Sequence, residues 1–220
     1  MRSFRSKGLF LAVLSALALS ASALAADYKI DPNHSSATFS VRHMVISNVP
    51  GRFSNVSGSI NYDDADVTKS SVEAVIKTAT ITTDNEGRDK HLKSADFFDV
   101  EKYPEITFKS KRVEKRGSQL VAIGTLTMKG VSKDIELPFE LSKLATPRGT
   151  MIGIVAETKL NRMDYGVSWN KAIEGGGVVV GDEVKIQLSL EARPAPPAPA
   201  PGAAATTPAA APVGSSPAKK

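Results

Sequence analysis

Cysteine is absent from this sequence, and histidine occurs only three times. No disulfide can support the fold, so packing and backbone hydrogen bonds have to hold it together. His34, His43 and His91 lie on different predicted elements, and no G-x-S-x-G or H-E-x-x-H pattern accompanies them. Catalysis is therefore the least supported function class, and the sequence predicts neither a metal site nor a cofactor.

The sequence also has little helical periodicity. Only residues 86–98 place apolar side chains on one helical face. The run DNEGRD, residues 84–89, lacks the alternating oxygen ligands of a calcium loop, so we interpret it as a turn and helix start. Thr83 and Glu86 have capping-box spacing there. A parallel sheet needs helical crossovers, so a single helix favours an antiparallel sheet.

Eight segments instead show the two-residue alternation of half-buried strands. They span residues 35–46, 52–61, 71–81, 105–113, 119–129, 134–144, 150–160 and 183–191. In the last one, Val184, Ile186 and Leu188 alternate with polar residues. Short polar turns favour antiparallel pairing, and eight such strands can form a sandwich or a closed up-and-down barrel. Pro138 interrupts its strand pattern, which indicates an edge, a bulge or a local gap.

The first 25 residues have the layout of a cleaved secretory signal. Arg2, Arg5 and Lys7 precede the apolar run LFLAVLSALALSA, and small residues stand at positions 23 and 25. The run is short for a transmembrane helix and no stop-transfer cluster follows, so an uncleaved anchor is the less favoured alternative. We predict cleavage before Ala26, export of the chain and no membrane span in the mature protein.

Residues 193–220 consist mainly of alanine, proline, serine, threonine and glycine. Such a segment buries too little apolar surface to offset the entropy of ordering, so we predict a disordered tail with polyproline character. A spacer and a solubilising tail fit this composition equally well. The two ends carry three basic residues each, which leaves 22 basic and 23 acidic residues between them. This balance removes the main support for nucleic-acid binding.

Five runs of the sequence together resemble one known family. The runs occur in the same order as in that family, and they are DPNHSSATFSVRHM, RDKHLKSADFFDVEKYPEITFKS, GTLTMKGVSKDIELPFEL, NRMDYGV and VGDEVKIQLSLEA. They resemble the YceI-like family of exported bacterial proteins over nearly all of residues 27–192. The resemblance implies a periplasmic domain at 26–192, folded as an extended eight-stranded antiparallel barrel like that of the lipocalins. Some similar proteins hold a polyisoprenoid chain in the barrel, and similar proteins can be dimers.

The stretch HLKSADFFDVEKYPEITFKSKRV, residues 91–113, raises the question of what the pair Phe97 and Phe98, flanked by Asp96 and Asp99, covers. Helical periodicity precedes the pair, Pro104 biases the chain towards an extended backbone, and strand periodicity begins at Glu105. A helix that leads directly into a half-buried strand predicts a cap over the end of a sheet. In the barrel that the resemblance implies, the two phenylalanines would seal one end of the apolar interior.

The barrel interior is the predicted ligand site. Its candidate lining residues are Phe39, Val41, His43, Phe98, Phe108, Met128, Phe139, Tyr165 and Trp169. The presumed inner faces also contain the small residues Ala37, Ala74, Ala122 and Gly124. This mixture fits a ligand tunnel and a tapered, filled barrel equally well. His43 is either a contact to the head group of a ligand or a hydrogen-bonded core histidine. Tyr165 and Trp169 either line an entrance to the barrel or plug its rim.

The sequence therefore predicts a non-enzymatic, exported protein that holds one long isoprenoid or quinone-like chain in a barrel tunnel. Each buried methylene contributes about 0.8 kcal/mol, so a long chain offers ample binding energy. The alternative is a non-catalytic envelope stress or interaction protein with a filled barrel and a tethering tail. A hydrolase or isomerase that uses His43 or His91 with a nearby carboxylate is the third and weakest hypothesis.

Overall fold

The computed structural model describes residues 25–174 and 176–196, so the predicted signal and most of the predicted tail lie outside it. These residues form ten strands and one α-helix. The elements are β1 (Ala26–Ile30), β2 (Ser36–His43), β3 (Ser47–Phe53), β4 (Val56–Tyr62), β5 (Ser71–Lys77), α1 (Glu86–Lys93), β6 (Glu105–Arg116), β7 (Gln119–Met128), β8 (Val131–Thr146), β9 (Gly149–Asn161) and β10 (Val180–Pro194). Short 3-10 turns occupy Val67–Lys69, Thr78–Thr80 and Arg162–Tyr165.

Eight strands close into an antiparallel barrel in the order β1, β4, β5, β6, β7, β8, β9, β10, because β1 pairs with β10 as well as with β4. The predicted eight-stranded antiparallel barrel is thus confirmed. β2 and β3 continue β1 and β4 beyond short breaks: β2 pairs with β10, and β3 pairs with β2. Residues 26–43 and 47–62 therefore form one long hairpin with a break in each arm.

The turn of this hairpin, at residues 44–46, was not predicted, so two of the strands predicted from the sequence have the wrong bounds. The predicted strand 35–46 runs through the turn, and the predicted strand 52–61 joins the end of β3 to β4. Both β1 and most of β3 are missing from the prediction. Met44-Val45-Ile46 contains no glycine, proline or asparagine to mark a turn, and these apolar residues continue a strand pattern.

Residues 78–104, here called the cap, connect the end of β5 to the start of β6 across one end of the barrel. The short helical cap is confirmed, but α1 ends at Lys93 and does not continue to residue 98. Phe97 and Phe98 follow the helix in a turn. Residues 86–93 of the predicted helix are therefore helical, and residues 94–98 are not.

The helix start also differs from the predicted capping box. Asn85 is the N-cap, and its Oδ1 accepts a hydrogen bond from the Arg88 N–H at 2.9 Å. The Thr83 hydroxyl donates instead to Asp89 at 2.5 Å. Burial opposes ionisation of Asp89, but the hydrogen bonds from Thr83 and Thr82 outweigh it, so the pKa of Asp89 lies below its usual value. Asp89 thus ties the helix to the chain segment that enters the cap.

The ladder between β8 and β9 stops at the pair Phe139 and Ala156. Pro138 is the next residue of β8, and it has no N–H with which to continue the ladder. Residues 131–138 consequently pair with β7 on one side and have no pairing with β9 on the other. Of the three predicted outcomes at Pro138, a local gap is the one observed. The 3-10 turn Arg162–Tyr165 packs against β8 in this region.

β10 continues to Pro194, two residues past the predicted domain boundary at 192. Arg193 and Pro194 pair with β1, and the Ala195 N–H donates to the Asp27 carbonyl at 2.7 Å. The first residues of the predicted tail therefore take part in closing the barrel.

Two truncations test this boundary. Removing residues 197–220 should leave the thermal midpoint unchanged, because their composition offers little apolar surface for docking. Removing residues 193–220 should lower it, by about 2–4 °C for each kcal/mol of lost β1–β10 pairing. Differential scanning calorimetry measures both midpoints, and equal values for the two truncated proteins would show that closure ends at residue 192.

Candidate functional site

The barrel encloses an apolar cavity of about 160 Å³. Side chains that line it alternate along the strands with side chains that do not, as a period of two requires. Most of the latter are polar, but Val121 and Ile123 of β7 and Val155 of β9 are apolar. On β6, for example, Ile106 and Phe108 line the cavity, while the Lys109 amine lies 2.6 Å from Glu73 on the outer face. No charged side chain among the described residues borders the cavity. The interior therefore offers apolar contacts and no partner for a charged group.

Two glycines make room for the largest side chains of the lining. A Cβ atom at Gly51 would come 2.2 Å from Phe39 Cζ, and one at Gly124 would come 2.8 Å from Phe108 Cζ. Each ring lies against the strand backbone where the glycine has no side chain. The rings are thereby kept beside the wall of the barrel.

The two adjacent phenylalanines of the cap have different neighbours. The Phe98 ring meets the Phe53 ring edge-on, with centroids 5.6 Å apart, and Phe53 lines the cavity. Phe97 packs instead on Trp169 and His91, at centroid distances of 5.4 and 5.0 Å. Phe98 thus covers the cap end of the barrel, and Phe97 joins the cap to the connection between β9 and β10.

The opposite end is covered by residues 63–70, from which Val67 reaches the cavity. The Tyr62 hydroxyl donates to Asp64 at 3.1 Å, and Lys143 of β8 pairs with the same carboxylate. The Lys143 hydrogen bond is the main reason that the pKa of Asp64 lies below its usual value. Burial raises the pKa of Tyr62. Both ends of the barrel are therefore covered, one by aromatic packing and the other by a polar cluster.

Four of the nine predicted lining residues border the cavity, namely Phe39, Phe108, Met128 and Phe139. The other five, which do not border it, are Val41, His43, Phe98, Tyr165 and Trp169. Of the predicted small residues, Ala37, Ala74 and Ala122 line the cavity, and Gly124 lies beneath the Phe108 ring. Contact of any of these residues with a ligand stays a prediction.

Arg162 holds the connection between β9 and β10 against the cap end. The residue is only 6 % exposed. Its guanidinium donates at 2.5–3.1 Å to the carbonyls of Val167, Trp169, Val180 and Gly181, and lies 3.3 Å from the Asp182 carboxylate. Burial lowers the pKa of Arg162, and the charge of Asp182 opposes that shift. Such a set of partners is what a buried cation requires.

Comparison with known sequences shows the family. The sequence matches the YceI-like domain over residues 28–192, which includes all of the barrel strands except the first two residues of β1 and the last two of β10. This chain belongs to the YceI-like family.

A sequence relative and two solved structures are similar to this chain. A UPF0312 protein of Staphylococcus aureus, SAS2572, is 34 % identical over 168 residues, which cover 75 % of this YceI-like chain and 96 % of the relative. The YCEI protein of Campylobacter jejuni is 33 % identical with a TM-score of 0.57, over 68 % of this chain and 87 % of that one. A polyisoprenoid binding domain from Saccharophagus degradans, 17 % identical, has a TM-score of 0.60 over 78 % and 99 % of the two chains.

The histidines of the YceI-like domain have separate surroundings. His34 lies in the turn after β1, with Nδ1 3.0 Å from Asp31. His91 Nε2 lies 2.8 Å from Asp96, and its ring packs 5.0 Å from the Trp169 ring. Within residues 25–174 and 176–196, no group of three acidic or histidine side chains is placed to hold a metal ion. The helices of the same residues are too short or too polar to cross a membrane.

Sequence analysis missed one strip of the cavity wall and one buried charge. Ile152, Ile154 and Ala156 line the cavity from β9, but the outward Val155 is also apolar and obscures the alternation. Inward Thr158, by contrast, is polar. Arg162 was missed because arginine is normally exposed, and only the fold brings the carbonyls that receive its hydrogen bonds together.

The substitution Arg162→Met should destabilise the protein by about 3–5 kcal/mol, because it leaves several carbonyls and a carboxylate without their buried donor. Urea unfolding followed by the fluorescence of Trp169, the single tryptophan, measures the change. Arg116→Met is the matched control: Arg116 pairs with Glu114 and Glu136 on the outer face and is 46 % exposed. Loss of an exposed pair should cost about 1 kcal/mol or less. Similar losses in the two variants would contradict the role assigned to Arg162.

Proposed function

We propose that this YceI-like protein is exported to the periplasm, where its barrel binds one long apolar chain and catalyses no reaction. The chain is an isoprenoid lipid or a quinone-like molecule. The observation that carries the proposal is the enclosed apolar cavity, which no charged side chain of the described residues borders. An apolar ligand gains from every carbon that it buries there, whereas a polar substrate would lose its hydration without finding a partner.

The head group of such a ligand belongs at an end of the barrel, because the cavity wall has no charge to receive it. The end covered by Phe98 is closed by ring contacts, with Phe53 beneath it. Lys90 and Lys93 lie in the last turn of α1 at that end, with Glu86 and Asp89 in the first turn of the same helix. A head group with negative charge would meet these cations, while the apolar chain extends towards Phe108 and Phe139.

The isoprenoid class draws support from the structural neighbour that is itself a polyisoprenoid binding domain. Its sequence is too distant for residues to be matched, so the support comes through the shared barrel architecture. An apolar interior within that architecture suits a slender chain, since an eight-stranded barrel is just wide enough to hold one small ligand.

The volume of the cavity sets a condition on this function. A cavity of about 150 Å³ holds a molecule the size of benzene, and the present one measures about 160 Å³. A chain of several isoprene units is larger, so side chains of the lining have to move to admit it. Met128 has an unbranched and adaptable side chain. Each methylene that enters contributes about 0.8 kcal/mol towards that rearrangement.

The same small volume favours a second candidate function. With both ends covered and little free space, the barrel would be a filled scaffold, and the protein an envelope stress or interaction protein whose tail tethers it. Packed barrels of this size are filled by their own side chains. The two candidates differ in whether the purified protein carries a lipid.

The variant Ala122→Phe separates the two candidates. Ala122 is 4 % exposed and lines the cavity, so the new ring fills free volume. In a lipid-binding barrel the variant should lose its lipid and keep its stability, because the ring replaces ligand carbon. In a filled barrel it should be destabilised by about 1–3 kcal/mol through overpacking. Organic extraction with mass spectrometry measures the lipid, and urea unfolding measures the stability.

Val155→Phe is the control for this test, because Val155 lies on the outer face of β9 and is 43 % exposed. It should change neither lipid content nor stability beyond about 0.5 kcal/mol. A wild-type protein that yields no lipid, together with a destabilised Ala122→Phe variant, would rule out the lipid-binding proposal in favour of the filled scaffold.

Export has its own test. The mature protein should begin at Ala26 or Asp27, because the small residues at positions 23 and 25 fit the cleavage rule. β1 begins at Ala26, so cleavage there leaves every described strand intact. Intact-mass measurement of protein from the periplasmic fraction of an expressing bacterium gives the result. A mass that retains residues 1–25 would contradict export by a cleaved signal.

A further inference from the structure

The turn between β2 and β3 exposes three large apolar side chains. Met44, Val45 and Ile46, here called the apolar tip, are 40, 58 and 79 % exposed. The Ile46 N–H donates to the His43 carbonyl at 3.1 Å and closes the turn. Nothing in the barrel covers these side chains, although burial of each would be favourable.

The backbone of the apolar tip is strained. Met44 and Val45 have φ angles of +48° and +65°. A positive φ at a β-branched residue is uncommon and unfavourable. Turns with two positive φ angles normally carry Asn-Gly or Asp-Gly, which adopt them without strain. Folding alone therefore does not explain apolar residues here, because a polar turn would form the same hairpin more easily.

The tip is nevertheless held in place. The Met44 N–H donates to the Val179 carbonyl at 2.9 Å, and Arg42 Nε donates to the Val45 carbonyl at 3.0 Å. Gly177 allows the close approach of Val45, since a Cβ there would lie 3.3 Å from Val45 Cγ2. The apolar side chains are thus presented on a fixed support.

Exposed apolar residues are concentrated at the cap end of the barrel. Besides the tip, the exposed large apolar residues of the described chain are Met163, Val178, Val155 and Leu144. Met163 and Val178 belong to the connection between β9 and β10, at the same end as the tip. Val155 lies on the wall, and Leu144 on the hairpin at the opposite end. One end of the molecule is therefore the more apolar of the two.

Positive charge flanks the apolar tip. Arg42, Lys171 and Lys185 have no carboxylate partner among the described residues. Arg42 precedes the tip, the backbone of Lys171 pairs with Val179, and Lys185 lies opposite Ser40 on the same outer face as Arg42. Glu174 in the same connection is the opposing charge. Arg42, Lys171 and Lys185 thus outnumber Glu174 in the segments that adjoin the tip, whereas the cap at the same end has six acidic and four basic residues.

We propose that the apolar tip docks the cap end of the protein onto the surface of a bilayer that contains anionic lipid. Met44, Val45 and Ile46 would enter the boundary between head groups and acyl chains, and the flanking cations would meet the lipid phosphates. Apolar insertion and attraction to anionic lipid together are the two signals that hold peripheral proteins at an interface. Docking stands independently of what the barrel carries.

Flotation with vesicles of phosphatidylethanolamine and phosphatidylglycerol tests the docking. Wild-type protein should float with the vesicles. The variant Met44→Asn/Val45→Gly/Ile46→Thr should bind at least roughly tenfold more weakly, because three apolar side chains no longer insert. Its thermal midpoint should stay equal or rise, because Asn-Gly suits the turn. The result would then not be explained by misfolding.

The control is Leu144→Asn, which removes an apolar side chain that is 63 % exposed at the opposite end. It should float like the wild type. The variant Lys171→Gln/Lys185→Gln should bind several-fold more weakly, and its binding should depend less on salt concentration. Vesicles of phosphatidylcholine alone should bind the wild type more weakly than the anionic vesicles do.

Wild-type protein that does not float, or a tip variant that floats like the wild type, would overturn the proposal. A dimer in analytical ultracentrifugation that the tip variant loses, with no flotation of either protein, would assign the tip to self-association instead. Lipid extracted from the tip variant should match that from the wild type. Failure of docking and failure of ligand binding in the barrel are therefore separate outcomes.

Discussion

Closure of the barrel depends on β10, because one of its edges has to serve two partner strands. One edge pairs with β9, while the other pairs with β2 up to Ser189 and with β1 from Ala192. The chain bridges the change of partner at residues 31–35. There the Asp31 N–H donates to the Glu191 carbonyl, and the Ser35 hydroxyl accepts from the Glu191 N–H. The break between β1 and β2 therefore leaves the β10 backbone hydrogen-bonded, and β10 has no free edge at the change of partner.

The barrel could be predicted from the sequence because alternation determines which side chains face inward. Phe39, Phe108 and Phe139 line the cavity for that reason. Two features could not be predicted from local patterns. The turn at Met44 and Val45 uses residues that favour strands, so only the register of β2 and β3 reveals it. The cap was predicted as one helix through Phe98, but α1 ends at Lys93. The Phe98 N–H donates to the Leu92 carbonyl, and this hydrogen bond forms the turn that ends the helix.

The two covered ends of the cavity are not equally able to open. At the far end, Asp64 joins Tyr62 to Lys143, and both of these belong to strands of the barrel. Opening there would disturb the sheet. At the cap end, Ile81 is buried and Thr82 exchanges two backbone hydrogen bonds with Arg52 of β3. The later part of the cap is less firmly attached, because α1 buries none of its residues and residues 86–98 pack on the core through Leu92 and Phe98. Displacing residues 86–98 alone would break side-chain contacts and leave the strands and the Arg52–Thr82 bridge paired. A ligand that needs more than the present volume would therefore enter under the cap.

The connection between β9 and β10 lies at this same end and contacts both the cap and the apolar tip, which are far apart in sequence. Arg162 fixes its backbone, Trp169 packs on Phe97 of the cap, and Val179 supports Met44 of the apolar tip. Displacing the cap would therefore disturb Trp169. Displacing the tip would disturb the segment that Arg162 holds. Because Arg162 donates to the carbonyls of both Trp169 and Val180, these two contacts share a single buried cation.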